Sequence, residues 1–243
     1  MSTAKTMPLT QRGARLQWRF YIGVTLLMVI FVGTGFWPTY FGPLVRGTIA
    51  QPLLIHVHAT VFVGWLVLFL AQSTLAATGH VDWHLKLGRA GIGYGFLLIA
   101  VGLFTTVMRS AEQVLAGENG ARLLYVGFFD MALFSIFFGA AIGLRRKPEL
   151  HRRLMLVAAT VLLVAAVGRI PFLRIGPWGI HLRLLVWSSP ILLAISHDLY
   201  KQRRFHRVYA FGLAALIVRL YSVPLSQTEM WTAFAGWATG LVL

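Results

Sequence analysis

The chain has 243 residues, of which 58% are hydrophobic and only 12% charged, and its mean hydropathy is +0.73. So few charges over that length exclude a soluble globular domain and point to a polytopic membrane protein. The formal charge of +15 does not signal a nucleic-acid partner, because the basic residues fall in short loops between apolar stretches, and the lack of cysteine excludes disulfides, thiolate metal sites and c-type haem attachment.

Residues 1–17 form a polar, basic tail. The apolar stretch from Tyr21 to Trp37 lacks a small-residue cleavage pattern before Pro38, so it reads as a retained first helix and not as a removed signal. Seven spans are expected, at 18–37, 53–78, 88–109, 123–145, 152–173, 182–200 and 206–225. Each is long enough for the roughly 30 Å of a bilayer's hydrocarbon. The last apolar stretch, Trp231 to Leu243, is too short to cross and is expected at the interface or packed as a half-helix. No long polar insertion interrupts the spans. The expectation is therefore an all-α, seven-helix bundle forming a single domain over 1–243.

The loops carry an orientation. Fifteen lysines and arginines lie on the side of the first residue, around Arg19, Lys86, Arg145–Lys147 and Lys201–Arg207. Five lie on the other side (Arg46, Arg109, Arg122, Arg174 and Arg183), and Arg169 and Arg219 fall inside spans. That bias predicts a cytoplasmic N-terminus and, with seven spans, an external C-terminus.

Two turns on the basic side look alike. His84, Leu87, Gly88 and Arg89 form H-x-x-L-G-R between the second and third spans; His151, Arg152, Arg153 and Met155 form H-R-R-x-M between the fourth and fifth. With the histidine-headed second span, these turns resemble a family of uncharacterised bacterial multi-pass membrane proteins over residues 53–175. The resemblance implies a helical bundle in a bacterial inner membrane and brings no settled activity. Similar turns also recur in haem-carrying, cytochrome b-like membrane proteins.

Depth within the spans gives a first candidate site. His56 and His58, Asp130, Arg169, Trp187 with Ser188, and Arg219 all fall in the outer third of their spans. A charged residue at a helix centre costs about 2.5–3.5 kcal/mol on insertion scales. A short aspartate cannot snorkel to the interface, so Asp130 needs a partner, and Arg169 and Arg219 lie at its depth. Two guanidiniums for one carboxylate leave a positive charge suited to a small anionic ligand, a lipid headgroup or a haem propionate. Residues two apart on a helix point to opposite sides, and His58 shares a stripe with Trp65 and Gln72, so His58 is taken as the inward one.

A second group, His84, His151, His197 and His206, clusters at span ends on the basic side. There a neutral imidazole can cap or hydrogen-bond a neighbouring loop, or serve a metal or a proton-responsive cluster. No pair spaced for one helix face supports a metal, and none is expected. Three functions stay open: a ligand- or cofactor-binding protein, with b-type haem in electron transfer as one version; a proton-coupled transporter of an anionic substrate; and an accessory subunit of a larger membrane complex. Whether the chain is an enzyme is left undecided.

Overall fold

The computed structural model describes residues 9–174 and 178–243, and every regular element among them is helical. Of the basic tail, residues 1–8 lie outside the described part. Seven helices are long and apolar enough to cross a membrane, which makes this an integral, multi-pass membrane protein. Their main helices are α1 (Leu9–Phe36), α2 (Leu53–Thr78), α3 (Val81–Leu115), α4 (Gly120–Gly143), α5 (Pro148–Val161), α6 (Gly179–Gln202) and α7 (Arg207–Tyr221), and the first, fifth and seventh crossings run on through short turns to Val45, Val167 and Gln227. An eighth helix, α8 (Glu229–Gly240), follows a 3-10 segment at Val223–Gln227.

Several ends differ from the expected ones, for local reasons. α1 begins at Leu9, because the Gln and Arg residues ahead of the apolar stretch are good helix formers and carry the helix out of the membrane. It runs on through a π-helical segment, Trp37–Phe41, around Pro38 and a last turn at Gly42–Val45. Gly79, at φ 81°, caps α2 in the left-handed conformation. α3 then starts at Val81, well before the expected 88, since no proline interrupts 81–87 and Asp82 in its first turn complements the helix dipole. α5 starts with Pro148 at its first position, yet ends at Val161 where a span to 173 was expected. A single turn, Val164–Val167, and a 3-10 turn, Pro171–Arg174, complete its crossing.

Sequential spans pack as antiparallel hairpins, and α5 sits among them, touching α4, α6 and α7 and reaching α1 through its Val164–Val167 turn. Within its crossing, 67% of the apolar window is buried, against 22–33% for the other six, so α5 is the axis of the bundle. Beside it Trp65 of α2 packs edge-on against Phe134 and Phe138 of α4, whose rings stack on each other with centroids 5.4 Å apart. α8 is a half-helix against α3 and α4, held by the Trp231 indole donating to the Ala121 carbonyl at 2.8 Å.

Close backbone approach fixes one contact of the axis. A Cβ on Gly35 of α1 would overlap the carbonyl of Ala166, whereas Gly33 has nothing within 4 Å. Gly35→Ala is therefore expected to lower stability by about 1–3 kcal/mol through overpacking. Gly33→Ala should be neutral or gain up to about 1 kcal/mol of helix propensity. Unfolding of the two variants in mixed micelles under rising dodecyl sulfate separates these outcomes.

Candidate functional site

At the basic end of the bundle the starts of α3 and α5 are brought side by side. His84 lies in the first turn of α3 and His151 in the first turn of α5. Each ring reaches back to the helix that precedes it: His84 Nδ1 lies 3.2 Å from the Gln72 carbonyl, and His151 Nδ1 lies 2.9 Å from the Ala141 carbonyl. A carbonyl oxygen only accepts, so both Nδ1 atoms carry the proton and donate it. The opposite ring nitrogen, Nε2, is then the edge each ring keeps for another partner. The similarity of the two turns in sequence thus becomes one structural device used twice.

Both histidines line a cavity of about 90 Å³. Gly88 and Gly91 follow His84 on the same face of α3, four and seven residues on, and keep that wall low. Met155 follows His151 by four residues on α5 and lines the same space, together with Trp65 and Gln72 of α2 and Arg152. The Trp65 indole nitrogen and the Gln72 side-chain oxygen, Oε1, are buried with no hydrogen-bond partner among the described residues. Buried polar atoms are seldom left so, and here they border a space that holds several waters or a small ligand.

A charged network closes the site toward α6 and α7. Arg153 donates to Asp198 through Nε and Nη2 at 2.9 and 2.6 Å, with both side chains almost fully buried. It also donates to the Glu149 carbonyl and carboxylate, and Arg152 donates to the same carboxylate at 2.6 Å. The Tyr21 and Tyr209 hydroxyls lie 3.4 Å apart, and the Arg152 and Arg153 guanidiniums sit over those two rings.

The expected histidine cluster is therefore split. His84 and His151 share the cavity, while His197 stacks on Phe20 and touches Asp198 at 3.5 Å. His206 caps α7, its Nδ1 accepting from the Val208 amide at 3.3 Å. Burial, and then the Arg153 charge, hold the His206 imidazole below the ordinary histidine value, in the neutral form the cap requires.

The opposite end carries the first candidate group, distributed among separate contacts. Asp130 and Arg219 form a bidentate pair, Nε to Oδ1 at 2.6 Å and Nη2 to Oδ2 at 2.9 Å. Among the described residues Arg169 forms no ion pair with Asp130: its Nη1 donates to the Ala165 carbonyl and its guanidinium covers the Phe36 ring. His58 stacks on Phe62, one turn on, and its Nδ1 is buried without a hydrogen-bond partner among the described residues, while His56 shares a hydrogen bond with Tyr40 at 3.0 Å.

Trp187 is turned into the bundle, where its indole donates at 2.8 Å to the Thr160 carbonyl, which past the end of α5 at Val161 also accepts from the Leu163 amide at 3.1 Å. Ser189 performs the same service one helix over, donating at 2.7 Å to the Val186 carbonyl that Pro190 leaves without its helical donor. Ser188 lies with His181 on a second cavity of about 280 Å³ between α6 and α7, otherwise walled by leucines and isoleucine.

Among the described residues no three histidine or acidic side chains gather as a metal site. Depth counting alone missed Gln72, Trp65 and Met155 as neighbours of the two cavity histidines. The signals were present in the seven-residue step from Trp65 to Gln72 and the four-residue step from His151 to Met155. No family model, curated protein or solved structure matches this chain.

Proposed function

We propose that this membrane protein binds a small ligand or cofactor in the cavity at its basic end, and that this end faces the cytoplasm of a bacterial inner membrane. The loop charges support the orientation, and the resemblance of the two histidine turns to bacterial multi-pass proteins supports the setting. The observation that carries the binding reading is the set of donors and acceptors around one space. Two imidazoles are fixed through Nδ1, and among the described residues an indole N–H and a side-chain amide oxygen are buried without a hydrogen-bond partner.

Size narrows the occupant. Pockets for drug-sized ligands measure roughly 300–1,000 Å³, so a 90 Å³ cavity suits an ion, water or a fragment-sized molecule. A porphyrin does not fit that space. At the other end His58 has Phe62 against its ring, so the haem version draws no support from either place. The anion-binding version of the outer layer weakens too, since Asp130 neutralises Arg219.

Protein extracted in mild detergent, analysed for bound metals and for organic compounds by mass spectrometry, tests the reading. One occupant per chain is expected in the wild type and in His58→Asn. It should vanish in His84→Asn and in His151→Asn, where the amide N–H still reaches the helix carbonyl but Nε2 is gone. An occupant kept by both of these variants and lost from His58→Asn would move the site to the far end.

A further inference from the structure

We propose that the cavity is a copper(I) site, in which Nε2 of His84, Nε2 of His151 and the thioether sulfur of Met155 hold one ion. This rests on the reading that the cavity is the binding site, and it names the ligand class. Histidines that bind metals almost always donate their other ring N–H to a carboxylate, a backbone carbonyl or water, which fixes the tautomer and aims the free nitrogen. Both rings do so here, onto carbonyls of two different helices. With Met155 they line the same cavity, His84 from α3 and His151 from α5.

The donor set then selects the metal. No carboxylate lines the cavity, which disfavours calcium and magnesium, since these take oxygen ligands. A third histidine or a cysteine, needed to close a zinc tetrahedron, is also missing from its walls. Two imidazoles and one thioether are neutral donors, and thioether sulfur favours copper(I). Arg152 on the same wall penalises a divalent ion more than a monovalent one, and its contact with Glu149 offsets part of its charge. The space accommodates an ion and a water, the latter serving Gln72 and Trp65.

Full-length protein, stripped of metal and titrated anaerobically with copper(I) against a chromophoric copper(I) chelator, is the test. One equivalent should bind, and His151→Asn should weaken it by more than about 100-fold. Met155→Leu conserves volume and should elute and unfold like the wild type, yet its X-ray absorption spectrum should lose the sulfur shell while retaining nitrogen. A tenfold excess of zinc(II) should not displace the ion. Equal copper(I) affinity in wild type and His151→Asn, or sulfur scattering that persists in Met155→Leu, overturns the assignment. Should the stripped wild type ignore copper(I) while the histidine variants lose a co-purifying compound, the cavity reading stands and the metal falls. If the variants also lose nothing, both fall.

Discussion

Arg153→Met is expected to remove about 3–5 kcal/mol of stability, the usual loss when one partner of a buried ion pair is deleted. Asp198, only 2% exposed, would keep a buried carboxylate that has lost its guanidinium partner, with the His197 ring at 3.5 Å. Against a typical total of about 5–15 kcal/mol, that is roughly a fifth or more of what holds a domain together. Arg153→Lys should recover little, since an ammonium cannot serve Asp198 through two nitrogens and Glu149 through a third. The double variant Arg153→Met/Asp198→Leu should regain most of the loss, because it leaves no unpaired charge. Sulfate-detergent unfolding in mixed micelles reads all three. Equal instability of the single and double variants would show that packing of the guanidinium over Tyr209, and not the pair, does the stabilising.

The same reasoning applies at the opposite end with a sharper control. Arg219→Met should cost about 3–5 kcal/mol by stranding Asp130, and Asp130→Leu should strand Arg219 to a similar extent. The two changes together should cost much less than their sum, and the difference is the coupling energy of the pair. Arg169→Met is the internal comparison. Its side chain is exposed, bound to its own helix's Ala165 carbonyl and laid over Phe36, so its coupling to Asp130 should be near zero. A sizeable coupling between Arg169 and Asp130 in the same cycle would revive a shared three-residue site.

That contrast shows what can be read from the chain alone. The Asp130–Arg219 pair was legible because a short acid deep in hydrocarbon has few solutions, and depth can be counted along apolar spans. Arg169 lies at the same counted depth, yet counting says nothing about azimuth, and the end of the helical crossing at Val167 swings it away. The break in α5 was illegible for a related reason: Leu162 and Leu163 carry no proline or glycine to mark it, and the Thr160 carbonyl beside it also accepts from Trp187 of a different helix.

The cavity was half legible. The paired turns stood out, but α3 was expected to begin at Gly88, which placed His84 in a loop. Starting at Val81, the helix makes His84, Gly88 and Gly91 one stripe facing His151 and Met155. Helix boundaries move with a residue or two of capping chemistry, and here such a shift separates a solvated loop from a lined site.

The enclosure of α5 bears on how the protein is made. The helix that touches least lipid in the finished bundle is fifth to leave the ribosome, and two of its walls, α6 and α7, are synthesised after it. During that interval Arg153 has no Asp198 to meet and Trp187 has not arrived to take up the Thr160 carbonyl. The half-built protein thus holds its most enclosed span against neighbours that do not yet complete it, and a chain stalled after the fifth crossing presents an unfinished seam to the quality-control proteases of the membrane.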